Sequence, residues 1–412
     1  MDYLTSSTDW RAACRARSRQ HRWRSSTLTL RRPDGRPLAG TWITARLIRN
    51  PFLVGTCVAP QLLEQSRTGE AYRGFVRRHF NATVCENAMK WYATEPQCDE
   101  VGYANADRKL AWSESHGLPM RGHCLFWDKQ KFAQPWVQEL APDELRRRVF
   151  ARISDLVGRY RGRLIAWDVN NELLDGGFFG GRLGPAIHAD IFKAAYDANP
   201  GCPLYVNEYG ILDQDEKLER YLRLIDDLRQ RGAPVGGIGI QEHAVERYAP
   251  DLKIAADEIE RPERTGRGPL VHEDVWRRLD RLAALGLPIH ITEVSSKTDD
   301  DVRRADTLEM MLRTAHAHPA VGAILLWGFW PKAHWLGRSA SLVVEDWTPL
   351  PAAHRLAELV DEWTTEVSLL TDANGCVKLE GWTGDYRFSA AGLQATFRLD
   401  GTPQATLVLT HG

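Results

Sequence analysis

The chain lacks the sequence features that mark several large classes of protein. It has no apolar run of about 18 residues, the length that a membrane-spanning helix needs. Its formal net charge is −1 with 26% charged residues, so no excess of positive charge favours nucleic acid or an anionic membrane as a partner. Its seven cysteines are scattered without a CxxC spacing, which favours reduced thiols over a disulfide framework or a zinc site.

The N-terminus also lacks the signature of a targeting segment. Residues 1–25 are basic, show no regular pattern and contain no apolar core of the secretory kind, so we interpret them as an irregular N-terminal segment. A cytoplasmic location is expected unless a leader has been removed. At 412 residues, the chain can bury one large core and carry a small accessory module.

Alternating strand-like and helix-like patterns fill the middle of the chain. Short apolar segments with β-branched residues are separated by longer stretches, such as 143–160 and 216–232, whose apolar residues recur every three or four positions. Eight such alternations predict a (β/α)8 TIM barrel over residues 51–365. A doubly wound sheet would need a glycine-rich phosphate turn after its first strand, and none is present. The predicted barrel strands are 52–59, 82–89, 119–127, 164–172, 203–209, 237–243, 288–294 and 323–330.

The segments on either side of the predicted barrel have a different pattern. Residues 26–50 alternate apolar and polar residues around the turn signals Pro33-Asp34-Gly35 and Ala39-Gly40, which predicts antiparallel strands. Residues 366–412 return to the same alternation and predict a small C-terminal β module. The edges of these two sets of strands could pair, giving one accessory sandwich.

Polar and aromatic side chains collect at the C-terminal ends of the predicted strands, where a barrel of this kind builds its active site. Carboxylates, amides, imidazoles and indoles suit a neutral polyhydroxylated substrate, since a sugar offers both hydroxyl edges and a C–H face. Metal ligation is the competing interpretation, but HExxH and paired Cys/His spacings are absent, so we expect neither a metal nor a cofactor. The residues are Glu86, Asn87, Lys90, His123, Trp127, Asn171, Glu172, Asn207, Glu208, Gln241, His243, Glu293, Trp327 and Trp335.

Six motifs then point to a family. ENAMKW (86–91), RGHCLFW (121–127), WDVNNE (167–172), GIGIQEH (237–243), ITE (291–293) and WGFWPKAHW (327–335) resemble glycoside hydrolase family 10, the endo-β-1,4-xylanases. They occur in the family's order and on the expected strands, over residues 50–365.

The resemblance implies two catalytic carboxyl groups. Glu172, which follows Asn171, corresponds to the general acid/base, and Glu293 corresponds to the nucleophile. A glycosidic oxygen leaves poorly unless it is protonated, so one carboxyl must donate a proton while the other, ionised, attacks the anomeric carbon. Enzymes that retain the anomeric configuration hold these carboxyl groups about 5–5.5 Å apart and pass through a covalent glycosyl-enzyme.

The resemblance also implies a substrate-binding set. Asn171 would bond the 2-hydroxyl of the sugar at the cleavage point, His123 would bond the same sugar, and His243, with Gln241 beside it, would orient Glu293. The next sugar toward the non-reducing end would be held by Glu86, Asn87 and Lys90, with Trp127 as a floor and Trp327 and Trp335 as a wall. Trp91 and Trp330 are expected to pack in the core.

Three places depart from the family's pattern or stay open. Ser295 stands where family members usually carry an Asp that supports the histidine beside the nucleophile, so we expect a shifted pH optimum. The fifth predicted strand has Asn207-Glu208-Tyr209-Gly210, a stretch in which the family more often shows an Asp and then an Asn. The long charged segment 244–270 is either a solvated loop or a wall of the substrate cleft.

The predicted function is therefore retaining endo-hydrolysis of β-1,4-xylan or xylo-oligosaccharides. The same chemistry on another β-glycan, such as a glucan or a modified xylan, is the nearest alternative. A catalytically inactive sugar-binding barrel is a second alternative, and an independent carbohydrate-binding role of the C-terminal module is a third. Packing is the preferred role of that module's aromatics, which are Trp382, Tyr386, Phe388 and Phe397.

Overall fold

The computed structural model describes residues 10–249 and 270–411, and its centre is a closed parallel barrel. Twenty of the residues in segment 244–270, namely 250–269, therefore lie outside the described residues, so the choice between a solvated loop and a cleft wall stays open. Within the described residues, no helix is long and apolar enough to cross a membrane.

The described strands fall into a barrel set, two flanking sets and one small pair. They are β1 Trp23–Arg31, β2 Trp42–Arg49, β3 Leu53–Val58, β4 Ala82–Cys85, β5 Met120–Gly122, β6 Phe126–Trp127, β7 Ala166–Asn171, β8 Leu204–Tyr209, β9 Gly237–Glu242, β10 Tyr248–Ala249, β11 Leu270–Val271, β12 Ile289–Val294, β13 Val321–Leu326, β14 Glu366–Leu370, β15 Cys376–Trp382, β16 Gly384–Ala390, β17 Leu393–Leu399, β18 Gln404–Val408 and β19 Thr410–His411.

The described helices mostly connect consecutive barrel strands. They are α1 Trp10–Arg22, α2 Arg67–His79, α3 Trp91–Thr94, α4 Ala104–Ser115, α5 Pro135–Glu139, α6 Pro142–Arg159, α7 Phe178–Leu183, α8 Ile187–Ala198, α9 Asp215–Gln230, α10 His272–Ala283, α11 Asp301–Ala317 and α12 Pro351–Glu362. Their ends follow local chemistry. The Ser66 side chain accepts the Gly69 N–H at the start of α2, Asp300 does the same for two N–H groups at the start of α11, and α6 begins on Pro142.

The barrel sheet has the order β5-β4-β3-β13-β12-β9-β8-β7-β6 and closes because β7 pairs with both β5 and β6. All of its pairings are parallel, and its strands are buried on both faces, which explains their continuous apolar runs. The segment 119–127, predicted as one strand, is divided between β5 and β6, which together fill one of the eight strand positions. The prediction of a (β/α)8 barrel is confirmed.

The two flanking segments form an accessory β module of two sheets. One sheet has the order β15-β1-β18 and the other has the order β14-β2-β16-β17-β19. The N-terminal strands β1 and β2 do not pair with each other, and each finds its antiparallel partner in the C-terminal segment. Leu28, Ile43 and Phe388 from the inner faces join one core, and Trp382 and Tyr386 are also buried there, so these aromatics pack rather than present a surface.

The expectation that residues 1–25 are irregular is wrong for α1, which covers residues 10–22. Only Trp10, Cys14 and Ser18 of this helix are buried, and the last two are too small to produce a visible apolar stripe. The helix is held against α11 and α12 by ion pairs, because Arg11 bonds Glu309 of α11 at 2.8 Å and Arg15 bonds Glu362 of α12 at 2.9 Å. The residues that it packs against are distant in sequence, and its many arginines leave no apolar pattern that would predict a helix.

Candidate active site

The predicted site residues meet in one open cleft of about 540 Å³ at the C-terminal ends of the barrel strands. All twelve residues given a catalytic or binding role line it: Glu86, Asn87, Lys90, His123, Trp127, Asn171, Glu172, Gln241, His243, Glu293, Trp327 and Trp335. Five further residues share the lining, namely Tyr92, Lys129, Lys131, Phe132 and Tyr209. The geometry thus brings the predicted set together, while their individual roles stay predictions.

Glu293, near the end of β12, is almost fully buried and surrounded by donors. Its Oε1 accepts a hydrogen bond from Asn207 Nδ2 at 3.0 Å, and its Oε2 lies 3.3 Å from His243 Nε2. His123 Nε2 approaches Oε1 to 3.9 Å. Burial raises the pKa of the Glu293 carboxyl, but the His243 bond and the charge of His123 outweigh this, and the net pKa is lowered. Glu293 is therefore held ionised, as a nucleophile requires.

A buried charged pair stands behind His123. Asp168 Oδ2 accepts from His123 Nδ1 at 2.9 Å, and both Asp168 oxygens also accept from Arg121, at 2.5 and 3.0 Å. Burial raises the pKa of Asp168, but the Arg121 charge and the His123 bond bring it down to about 2. The anionic Asp168 thus fixes the orientation of the His123 ring and leaves its Nε2 facing Glu293.

His243 has a weaker support. Its Nδ1 lies 3.1 Å from the hydroxyl of Ser295, which is buried and carries no charge. The two imidazoles that flank Glu293 are therefore backed differently, one by the carboxylate of Asp168 and the other by a hydroxyl. The sequence predicts a shifted pH optimum because Ser295 replaces an Asp. The structure places the Ser295 hydroxyl against His243, and the shift itself stays a prediction.

Glu172 follows directly on β7 and has a left-handed backbone conformation, with φ of +56°. Such a conformation is uncommon for a residue with a side chain and is often retained at functional positions. Its N–H donates to Asn207 O at 2.8 Å, and its Oε2 lies 2.7 Å from Lys129 Nζ. Only 12% of its side chain is exposed. The two glutamates thus lie in one cleft in different surroundings, one among imidazoles and an amide and the other against an ammonium.

A network of buried amides connects the two catalytic candidates. Asn171 Oδ1 accepts from Asn207 Nδ2 at 2.8 Å and from Gln241 Nε2 at 3.0 Å. Asn207 Oδ1 in turn accepts the Thr292 hydroxyl at 2.6 Å. With its oxygen occupied on both sides, Asn171 is oriented to present its NH₂ group to a ligand.

The opposite end of the cleft carries the polar and aromatic residues assigned to sugar binding. Asn87 Oδ1 accepts from Lys90 Nζ at 3.1 Å and from Tyr92 OH at 2.8 Å. The pKa of Glu86 is raised, because the effect of burial exceeds the opposite effect of the nearby Lys90 charge. These groups form a hydrogen-bonded polar rim that can bond vicinal hydroxyls.

The tryptophans of the cleft differ in exposure. Trp335 is 58% exposed and stands edge-on to His243, whereas Trp327 is buried and edge-on to His123. Phe132 stacks on Trp127 with ring centroids 3.4 Å apart, so this indole is covered on a face by a neighbouring ring. An exposed indole such as that of Trp335 can pack on the C–H face of a sugar.

Sequence reasoning missed the contribution of the loop after β6. Lys129, Lys131 and Phe132 follow the RGHCLFW motif directly, and their presence in the cleft was signalled only by that adjacency. Within the described residues, no group of three or more His, Cys, Asp or Glu side chains is arranged to hold a metal ion.

A parallel eight-stranded barrel with two glutamates at the ends of separate strands is an arrangement typical of glycoside hydrolases. The sequence profile of Glycosyl hydrolase family 10 matches residues 44–358. The chain belongs to this family.

Several characterised proteins resemble the chain. The anti-sigma-I factor RsgI6 of Acetivibrio thermocellus is 35% identical over 356 residues, which are 86% of this chain and 43% of that protein. Endo-1,4-beta-xylanase 1 of Arabidopsis thaliana is 36% identical over 357 residues, 86% of this chain and 35% of that protein. The chain thus spans less than half the length of these two relatives.

Solved structures agree with the barrel. The crystal structure of xylanase 10B from Thermotoga petrophila RKU-1 in complex with xylobiose superposes with a TM-score of 0.65 at 26% identity, covering 76% of this chain and 94% of that one. Native xylanase 10B from Thermotoga maritima gives the same TM-score and identity, covering 95% of that chain.

Proposed function

We propose that this chain hydrolyses internal β-1,4-xylosidic linkages of xylan or xylo-oligosaccharides, with retention of the anomeric configuration. The observation that carries the proposal is the asymmetric pair in the cleft: Glu293 is buried and kept ionised, while Glu172 lies on the far side of the Asn171–Asn207 network. Family membership supports the reaction class, and relatives named as xylanases, one with bound xylobiose, support the substrate.

The reaction proceeds in two displacements. In the first, a carboxylate oxygen of Glu293 forms a bond to the anomeric carbon while Glu172 gives its proton to the departing glycosidic oxygen, and the bond between that oxygen and the anomeric carbon breaks. In the second, Glu172 takes a proton from water, whose oxygen attacks the anomeric carbon and releases Glu293. Asn171 bonds the 2-hydroxyl, a contact that strengthens in the transition state.

A substrate panel tests the proposal. The wild type, Glu172→Ala and Glu293→Ala are assayed on p-nitrophenyl xylobioside, p-nitrophenyl cellobioside and polymeric glycans, and the anomer first released is identified by NMR. We expect turnover of the xylosides, a β-configured first product and loss of activity in both variants with the fold intact. Wild-type turnover by Glu293→Ala would contradict the mechanism.

Two outcomes of the same panel would redirect the assignment. Preference for the cellobioside would assign the chemistry to another β-glycan. Binding of xylo-oligosaccharides without turnover by the wild type would favour a sugar-binding barrel. The relative named as an anti-sigma factor makes this second outcome a relevant one.

A further inference from the structure

Lys129 makes the closest charged contact to the proposed acid/base. Its Nζ lies 2.7 Å from Glu172 Oε2 and donates to Tyr209 OH at 3.3 Å. Only 20% of the Lys129 side chain and 12% of the Glu172 side chain are exposed, so water screens this pair only in part. Burial lowers the pKa of the Lys129 ammonium, but the bond to Glu172 reverses this and the net pKa is raised.

The other ionisable groups around Glu172 have partners of their own. On β8, the buried Glu208 accepts the N–H groups of Leu174 and Tyr209 at 2.8 and 3.1 Å, and burial raises its pKa to about 7. From α9, Lys217 Nζ lies 2.6 Å from Asp175 and 3.4 Å from Glu208.

Across the cleft, Glu293 is paired with His243, and Glu86 and Lys90 lie at the sugar-binding rim with the exposed Lys131 among the lining residues. Among residues 10–249 and 270–411, Lys129 is thus the cation that contacts Glu172 directly.

An acid/base must serve in two opposite states. It has to be protonated when the leaving group departs and ionised when water attacks. A fixed cation next to a carboxyl group favours the ionised state. Such a contact therefore assists the second displacement and limits the first one at higher pH.

We propose that Lys129 is a positioning residue that holds the Glu172 carboxylate and sets the pH range in which this group can act as a proton donor. The proposal rests on the proposed function, because it assigns the acid/base role to Glu172. It goes beyond that function, since it makes the balance between the two displacements depend on a residue outside the six family motifs. Lys129→Met removes the charge and keeps a side chain of similar length.

Two parts of the pH dependence report the same group, Glu172, one in the free enzyme and the other in the glycosyl-enzyme. For a substrate with a poor leaving group, such as xylotriose, the alkaline limb of kcat/KM marks the loss of the proton from the donor. For 2,4-dinitrophenyl xylobioside, whose leaving group needs no proton, a burst of dinitrophenol identifies conditions in which the second displacement limits kcat. The acid limb of that kcat then marks the protonation of the base.

Lys129→Met should move both limbs to higher pH by about one unit, since it removes a cation in direct contact with the carboxyl group. In the same variant, kcat/KM for the dinitrophenyl substrate should stay within about twofold of the wild type, because its first step uses no proton donor. Lys129→Arg, which restores a cation, should return both limbs toward their original positions. The exposed Lys193 on α8 does not line the cleft, so Lys193→Met is a matched control for the loss of one positive charge.

The outcomes separate this inference from the proposed function. If the wild type turns over none of the xylosides, the proposed function fails. If the wild type is active but both limbs stay in place in Lys129→Met, or kcat/KM falls equally for every leaving group, the inference is overturned. Repeating the measurement with Glu208→Gln in both backgrounds tests whether Glu208 produces the limb; a shift that vanishes there would also overturn the assignment to Glu172.

Discussion

The dependence of the proposed nucleophile on His243 can be tested with a single substitution. His243 Nε2 lies 3.3 Å from Glu293 Oε2, and its hydrogen bond is the largest of the effects that lower the pKa of Glu293 against the effect of burial. His243→Ala removes the donor and its charge, whereas His243→Gln keeps a donor without the charge. Both variants should raise the pKa of Glu293, and His243→Ala should do so by more.

The size of the change follows from the surroundings of the pair. A hydrogen bond to a charged group contributes about 1.5–3 kcal/mol, and about 1.4 kcal/mol corresponds to one pH unit, so its loss corresponds to about 1–2 units. His243 is 22% exposed and the bond is long, which favours the lower end, about one unit. Because the substitution removes an interaction that lowers the pKa of Glu293, this carboxylate becomes protonated at a higher pH than in the wild type.

The assay is the acid limb of kcat/KM for p-nitrophenyl xylobioside, which reports the free enzyme's nucleophile. The limb should move to higher pH in His243→Ala. His116, an exposed residue at the end of α4, provides the control substitution His116→Gln. If the plateau falls but the acid limb stays where it is, His243 acts only on geometry and the electrostatic reasoning is refuted.

Three further substitutions test other parts of the structure. Ser295→Asp places a carboxylate against His243 Nδ1, now 3.1 Å from the hydroxyl, and should move the acid limb to lower pH; an unchanged pH–rate profile would contradict this. Glu309→Gln removes a buried carboxylate shared by three arginines and should lower the free energy of unfolding in urea by about 1–3 kcal/mol, since two of these arginines are partly exposed; an unchanged free energy of unfolding would count against it. Gly122→Ala would place a Cβ 2.3 Å from the buried Trp167 ring and should destabilise the barrel by about 1–3 kcal/mol; an unchanged melting temperature would show that the ring can move.

The barrel and the shared cleft could be predicted from the sequence because both follow from local patterns. Parallel strands that are buried on both faces give continuous apolar runs, and a carboxylate such as Glu172 or Glu293 marks the point where the run ends. The division between β5 and β6 was missed, since residues 123–125 between the two strands, His-Cys-Leu, carry no turn signal.

The remaining features depend on distances that a linear pattern does not contain. Lys129 contacts Glu172 because the loop after β6 approaches the end of β7; its adjacency to the RGHCLFW motif indicates the cleft but not this contact. Arg121 and Asp168 are charged residues inside apolar strands, and only the closed barrel brings them together. Helix α1 was missed for the same reason, because its partners lie about 300 residues further along the chain.

The strand order of the accessory sheets determines when this module can form during synthesis of the chain. Strand β1 lies between β15 and β18, and β2 lies between β14 and β16, so neither has a partner until more than 300 further residues have left the ribosome. Contacts between such distant segments form slowly, because the entropy of closing a long loop has to be overcome first. During translation β1 and β2 therefore remain as unpaired edges, and their exposed residues, including Arg46 and Arg49, oppose association with other nascent chains.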